Sequence, residues 1–518
     1  MTASVLCAAL HGVHAFRVDL EVDLHKGGLP SFSMVGLLEA AVREARERVS
    51  ASLRNAGFRL PAARITVNLA PADRRKSGSA FDLPLAVGLL AATGIIPPEA
   101  GRELLFAGEL SLTGEINPVS GILPAAILAR DLGCSGIFVP EGNAAEAAVV
   151  EGLAVFPARD LAQVVAHLTG NQRIEPALAS HEPPESALPF FDFAEVKGQE
   201  HAKRAIEIAA SGGHNLLFVG PPGSGKTMLA QRIPSVLPVL SFDEALEVTT
   251  VYSVAGLLRS QTETGLIRQR PFRSPHHTIS HAGLVGGGSN PRPGEVSLAH
   301  RGVLFLDELP EFNKHALETL RQPLEDGRVT ISRAAATLAY PADFMLVASM
   351  NPCPCGYLTD PRKTCACAPK EVTRYKSKLS GPLLDRIDLH IEVPSVPFED
   401  LARQGKGESS AAMAERIAAA RAVQEKRRAA FAKSGGNTPR YRTNADLSGT
   451  MLETVCALDK DGRTFMGHAV EALALSARAY TRILRIARTI ADMADEPKIR
   501  TPHLAEAVNC RFLDREGE

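Results

Sequence analysis

Apolar residues recur along the chain in three spacings, and each predicts a different element. Alternation over Ile65-Thr66-Val67-Asn68-Leu69-Ala70 predicts a strand. Largely apolar runs at Leu216–Val219, Val303–Leu306 and Phe344–Met350 predict strands covered on both faces. Helical spacing appears over 39–57 (EAAVREARERVSASLRNAG), a charged amphipathic helix ending at a glycine, and over the apolar stretch 81–93. Strand and helix patterns alternate as far as Leu168, which predicts a compact α/β domain over 1–170. Residues 171–189 (NQRIEPALASHEPPESALP) have no period and predict an exposed linker. A second α/β unit is expected over 190–400 and a helical one over 401–518. In the latter, 411–433 (AAMAERIAAARAVQEKRRAAFAK) has strong helix formers and mixed charge, which predicts a solvated helix. Residues 475–490 have apolar residues at helical spacing.

Composition narrows the classes. At 518 residues the chain is too long for one core. Apolar content of 45% and charged content of 22% describe a soluble globular protein. The formal net charge is −1, so any nucleic-acid surface must be a local patch. No apolar run approaches the roughly 18 residues of a membrane span. The start, Met1 to Cys7, lacks the charged opening of a signal peptide. Four of the eight cysteines crowd between 353 and 367, which suggests metal in a reducing compartment rather than a disulfide frame. A cytoplasmic protein without a membrane partner is expected.

The central motif is Gly220-Pro221-Pro222-Gly223-Ser224-Gly225-Lys226-Thr227, between the apolar run 216–219 and the helical run 228–233. It fits G-x-x-x-x-G-K-[ST] at every fixed position, in the order strand, glycine loop, helix. Glycines allow the backbone N–H groups to close around a polyphosphate, Lys226 reaches the β- and γ-phosphates, and the Thr227 hydroxyl binds Mg²⁺. Downstream, Val303–Leu306 ends in Asp307 and Glu308, as in a Walker B motif. Asp307 would hold Mg²⁺ through water, and Glu308 would polarise the attacking water. ATP and Mg²⁺ are the cofactors this pair of motifs calls for.

Asp192 to Gln199 followed by a helix resembles the opening segment of AAA+ ATPases. That resemblance implies a sensor-1 role for Asn351, after the third apolar run. It places an arginine finger on Arg386 in Gly381-Pro382-Leu383-Leu384-Asp385-Arg386, the alternative being an ion pair with Asp385 or Asp388. A finger supplied in trans implies a ring, most simply a hexamer. Residues 268–300 (RQRPFRSPHHTISHAGLVGGGSNPRPGEVSLAH) resemble the helix-2 insert of the magnesium-chelatase and MCM-helicase group. From 268 to 301 there are five arginines (Arg268, Arg270, Arg273, Arg292 and Arg301) and one acid, Glu295. Gly286-Gly287-Gly288 is expected to make the stretch mobile, and a mobile basic loop suits DNA phosphates. His276-His277 has no partner spacing for a metal. Gly327 to Arg333 is a second basic hairpin, expected to bring Arg328 and Arg333 near one another.

Cys353-Pro354-Cys355 and Cys365-Ala366-Cys367 offer four thiolates in two close pairs, which suits tetrahedral Zn²⁺; reduced thiols without metal and redox chemistry are the alternatives. Arg362, Lys363, Lys370, Arg374, Lys376 and Lys378 make the surroundings basic.

Residues 1–170 resemble the Lon-type protease fold through Ser77-Gly78-Ser79-Ala80, Gly108-Glu109-Leu110, Thr113-Gly114-Glu115 and Ile137-Phe138-Val139-Pro140. The nucleophile would fall on Ser79, but the partner lysine falls on Leu123, which is no base. Ser79 is therefore read as an N-cap or turn residue. Leu475 to Ile490 resembles the lid helix that carries a sensor-2 arginine, Arg478 fitting best and Arg482 second. These features together resemble the ComM (YifB) family of bacterial magnesium-chelatase-like ATPases across essentially the whole chain. The resemblance implies an α/β fold with three parts: a Lon-like N-terminal domain, a P-loop AAA+ core of the helix-2-insert group, and a helical C-terminal lid. It further implies a hexameric, ATP-driven DNA branch-migration helicase acting in recombination during natural transformation, on single-stranded and branched DNA and alongside other recombination proteins. A tetrapyrrole metal-insertion motor and an ATP-dependent protease are the alternatives.

Overall fold

The computed structural model describes residues 2–25, 27, 29–178, 191–258, 264–288, 291–333, 336–397, 399, 407–433 and 441–515. The first part is a mixed seven-stranded sheet. Its order is Ser31–Val35, Arg64–Ala70, His14–His25, Thr2–His11, Leu104–Phe106, Gly136–Pro140 and Ala154–Ala158. The two long strands form an antiparallel hairpin from Thr2↔Asp23 to His11↔His14, turned at Gly12 with φ 65°. Buried and exposed positions alternate along Thr2–His11, so one face of the hairpin supplies core. The expected strand forms as Arg64–Ala70, and the expected helices as Ala40–Asn55 and Asp82–Thr93. Helix Asp82–Thr93 lies between the sheet and Ala40–Asn55, which explains why its sequence is apolar on all sides. Gly88 permits that approach, since a Cβ there would meet Val22 Cγ2 at 2.9 Å.

The second sheet is parallel throughout, in the order Phe272–Arg273, Val303–Leu306, Met345–Met350, Leu216–Val219 and Leu389–Glu392. The chain enters beside the far edge, crosses to the opposite edge, and returns. Its first strand therefore lies between the last two to be added, the switch point where α/β sheets bind ligands. The loops after Val219, Leu306 and Met350 all leave from the carboxyl ends.

Residues 407–433 and 441–515 form helices joined by turns. Ser410–Lys433 corrects one expectation, because it is not a solvated helix. Met413, Ile417, Ala420 and Gln424 are buried at helical spacing against Glu200–Gly212 and Ala477–Met493. The expected linker starts against the first domain, with Ile174 N donating to His167 Nδ1 at 3.0 Å and Ala177 N to Val155 O at 2.8 Å. Its remainder, from 179, lies outside the described residues. No described helix is long and apolar enough to cross a membrane.

Helix Phe242–Ala255 joins all three parts. Ser253 Oγ donates to Glu146 of the first sheet's domain, Glu244 pairs with Arg442 of the helical part, and Glu247 pairs with Arg301 of the parallel-sheet unit at 2.6 Å. The helix begins with a capping box between Ser241 and Glu244, so one glutamate both starts the helix and ties it outward.

Candidate functional site

The glycine loop adopts a conformation that only its sequence permits. Gly223 and Gly225 have φ of 76° and 93°. Gly220 is excluded from carrying a side chain for a different reason, since its Cβ would lie 2.1 Å from Val393 O. Gln199 pins the loop from outside, its amide donating to Ser224 O at 3.2 Å and Pro394 O at 2.7 Å. Lys226 is mostly buried, and its ammonium donates to Gly220 O at 2.7 Å, Pro221 O at 2.9 Å and Asn351 Oδ1 at 3.2 Å. Burial pulls it below its ordinary pKa, against the opposing pull of Asp307 and Glu308.

Two strands away, Thr227 Oγ1 donates to Asp307 Oδ2 at 2.8 Å. Ser349, a polar residue in the apolar run 345–350, donates closely to the other oxygen, Asp307 Oδ1. Sequence reasoning missed Ser349, although one hydroxyl in an otherwise apolar strand was the available signal. Glu308 has φ 53° and ψ 50°, a left-handed conformation of the kind stored at functional sites. Lys226, Thr227, Asp307, Glu308 and Asn351 thus meet at one end of the sheet. The set suits a nucleotide polyphosphate with Mg²⁺: loop N–H groups and Lys226 for phosphate, Thr227 and Asp307 for the ion's ligand sphere.

The cysteine loop leaves directly from this site. Sγ of Cys353 lies 3.4 Å from Cys355 and 3.6 Å from Cys365, and Cys355 lies 3.6 Å from Cys365. All four sulfurs, Cys367 included, fall within 4.8 Å of one another, compatible with roughly 3.8 Å between ligands on a tetrahedral Zn–S bond of about 2.3 Å. N–H groups of Tyr357 and Ala366 hold the Cys355 thiol down to about 6. Gly356, with φ 85°, packs where a Cβ would lie 2.5 Å from Pro222 Cδ, so this loop braces the phosphate loop.

The arginines divide. Arg386 is buried and paired with Glu325, with its Nη1 donating to Pro382 O at 2.5 Å; its partner is neither Asp385 nor Asp388. Arg478 is largely exposed and pairs with Asp385 at 3.1 Å, while Arg482 is bonded to buried Asp388. Of the basic stretch, Arg270 pairs with Glu244 at 3.1 Å, Arg273 with Glu295 at 2.6 Å, and Arg301 with Glu247 and Asp343. These three shape the fold through neutralised pairs, because an arginine half-buried here needs a carboxylate. Arg268 is partly buried, and Arg292 and Arg328 are exposed.

Gly286–Gly287 pairs with Arg292–Pro293, and a Cβ on Gly286 would meet Arg292 O at 2.6 Å. One further expectation changes: Arg328 and Arg333 are not neighbours. They occupy opposite ends of strand Arg328–Arg333, five steps and roughly 17 Å of extended chain apart, with Arg333 beside the hairpin tip. In the first domain Ser79 is a turn residue whose carbonyl accepts from Asp82 N at 3.2 Å, and Leu123 is fully buried.

Three family descriptions match the chain. "Magnesium chelatase, subunit ChlI" covers residues 192–401, "Subunit ChlI of Mg-chelatase" covers 20–143, and "Magnesium chelatase, subunit ChlI C-terminal" covers 407–511. The chain is 44% identical over 519 residues to competence protein ComM of Haemophilus influenzae, covering 99% of this chain and 98% of that protein. It is 43% identical over 514 residues to YifB of Salmonella typhimurium, covering 99% and 97%. Identity to the magnesium-chelatase 38 kDa subunit of Cereibacter sphaeroides is 24% over 219 residues, 40% of this chain and 59% of that one. With near-complete coverage on the first two and the chelatase descriptions spread over all three parts, the chain belongs to the ComM/YifB family of magnesium-chelatase-like proteins.

Proposed function

We propose that the protein is an ATP-driven, ring-forming DNA translocase that promotes branch migration in recombination during natural transformation. One observation carries the ATPase reading: Lys226–Asn351 and Thr227–Asp307 are already bonded in pairs beside Glu308, at the carboxyl ends of one parallel sheet. In this reading Glu308 polarises water, Asn351 serves as sensor 1, and Arg386 leaves Glu325 to reach a neighbour's γ-phosphate in a hexamer. Arg478 is the sensor-2 arginine of a helical lid, and Arg482 is structural. The first domain is a Lon-like platform for DNA or recombination proteins. Leu123, which replaces the base that a protease would need, argues against proteolysis there.

DNA rather than a tetrapyrrole partner is favoured by extent. The competence protein matches the whole chain, whereas the chelatase subunit matches 40% of it. Exposed Arg292 and Arg328, with Arg333 at the hairpin tip and Arg268 at the base of the stretch, are the proposed phosphate contacts. Zinc, held by Cys353, Cys355, Cys365 and Cys367, would supply a structural crosslink, with Lys370 and Arg374 exposed beside it. Anaerobically purified protein is expected to carry one equivalent of zinc, and metal analysis showing none would remove that assignment.

The test is a labelled four-way junction incubated with protein and ATP. ATP-dependent conversion to branch-migrated products is expected, and it should be absent with Glu308→Gln. Conversion without ATP, or none at any protein concentration, would contradict the reading.

A further inference from the structure

A cleft of about 590 Å³ opens between the parallel sheet and the helical part, away from the glycine loop. Its lining includes Gly213, Gly302 and Phe344, which lie just before strands Leu216–Val219, Val303–Leu306 and Met345–Met350. The cleft therefore sits at the amino ends of the strands, whereas Lys226 and Asp307 follow their carboxyl ends. Helix Ser410–Lys433 supplies Arg421 and Arg428 to the same cleft. A space of this size suits a small molecule.

Five arginines line it, and four of them have a carboxylate partner. Arg270 meets Glu244 at 3.1 Å, Arg301 meets Asp343 at 2.5 Å and Arg428 meets Glu425 at 2.6 Å. Arg442 pairs with both Glu244 and Asp343. Arg421 is different: among the described residues it has no ion pair. Its Nε and Nη2 both donate to Ala210 O, at 3.1 and 2.7 Å, in the last turn of helix Glu200–Gly212. That bond caps the helix and uses one edge of the guanidinium, which leaves Nη1 without a bond to the described residues. The remaining acid of the cleft is committed elsewhere, since Asp446 Oδ2 accepts from Arg442 N at 3.0 Å and Thr443 N at 3.1 Å. Burial pulls the Arg421 guanidinium down to about 10, Arg270 adding to the pull and Asp446, Glu244 and Asp343 opposing it. A cation so placed gains from an anion that its own chain does not supply.

Another part of the lining is apolar. Leu237, Pro238, Val239 and Phe344 form it, and Val239 is 84% exposed. We propose that the cleft binds a small amphipathic oxyanion, a phosphate or carboxylate on an apolar body, with the oxyanion on the free edge of Arg421 and the body against Val239 and Phe344. A guanidinium edge matches either oxyanion. Such a ligand touches the sheet unit and the helical part together without reaching the phosphate-binding groups, which is the placement of an effector rather than of a substrate.

The experiment is calorimetric titration of the full chain with phenyl phosphate, benzoate and inorganic phosphate in turn. It is done in a Lys226→Ala background to weaken competition from the glycine loop, and any binding left there would not respond to Arg421. Phenyl phosphate or benzoate should bind at a single equivalent per chain. Arg421→Gln should weaken that binding roughly tenfold or more, the loss expected for one charge-assisted contact. Val239→Asp sets a like charge at an exposed position, so it should weaken binding severalfold with the melting temperature unchanged. It decides the matter if loss of the helix cap unfolds Arg421→Gln. Inorganic phosphate should bind more weakly than phenyl phosphate, because it leaves the apolar wall uncovered. No binding of either organic anion, or binding unaltered in the folded variants, would overturn the proposal. Inorganic phosphate binding as tightly as phenyl phosphate would overturn the amphipathic assignment.

Discussion

Lys226 and Glu308 stand 82 positions apart in sequence and act on opposite ends of one event, so their substitutions should part company. Lys226→Ala removes the only cation bonded to both the loop carbonyls and Asn351 among the described residues, and nucleotide binding should be lost. Glu308→Gln keeps shape and the backbone bonds to Asp307 and Ser349. It should bind ATP with near-wild-type affinity in a fluorescent-nucleotide titration while hydrolysis falls by roughly 10² or more. Gly356 offers a different test, because it touches Pro222 and not the ligand. Gly356→Ala must relieve a 2.5 Å contact and adopt φ 85°, so nucleotide affinity should fall severalfold although every phosphate-binding group remains. Unchanged affinity would show that the cysteine loop does not brace the phosphate loop. Motif residues were legible because their spacing is fixed by the ligand they surround. Ser349 was not, because it is placed by a contact between neighbouring strands that a linear sequence does not mark.

At the scale of elements, strand Leu389–Glu392 is locked to helix Ala477–Met493 by a buried charge. Asp388 is bonded to Arg482, accepts from Asn215 N at 3.0 Å and lies 3.6 Å from His214. Burial pushes its carboxyl up, but Arg482 and His214 outweigh that and hold it well below the usual range. The sign follows from linkage. A carboxylate depressed in the folded state contributes stability that is fully present above its unfolded pKa of about 3.9 and is lost as pH falls through the folded value. Asp388→Asn should therefore cost about 3–5 kcal/mol near neutrality, where half-buried Arg482 is left without its partner. Chemical denaturation at several pH values should show that gap constant above about pH 5 and shrinking only in strong acid. A gap that closes well above that range would contradict the role given to Asp388. The strands and the helix around 477 were readable from apolar spacing. Ser410–Lys433 was misread because its buried stripe is thin, Met413 and Ile417 among alanines, and charges crowd the other faces. The two hairpin arginines are close in sequence but not in space, because an extended strand carries its ends apart.

Across the whole molecule, the three parts meet at helix Phe242–Ala255, and the partners involved lie far apart in sequence. Glu146 illustrates this: buried, it accepts from Leu123 N at 2.9 Å, from Asn143 Nδ2 at 2.9 Å and from Ser253 of the helix. Nothing in the local sequence around Glu146 announces that role, so the joint between the first domain and the parallel-sheet unit could be seen only in the structure. The ring is argued from Arg386, whose guanidinium already has Glu325 and Pro382 O as partners. Arg386→Ala should assemble with ATP as the wild type does in sedimentation, yet hydrolyse roughly 10³-fold or more slowly, the usual loss for a missing finger. Wild-type turnover would leave Arg386 a structural partner of Glu325. Whether nucleic acid drives hydrolysis is read from steady-state rates with a four-way junction, single strands or duplex at one fixed salt concentration. Strong stimulation by the junction or single strands, lost in Glu308→Gln, is expected. Hydrolysis that is the same with and without every DNA would contradict it.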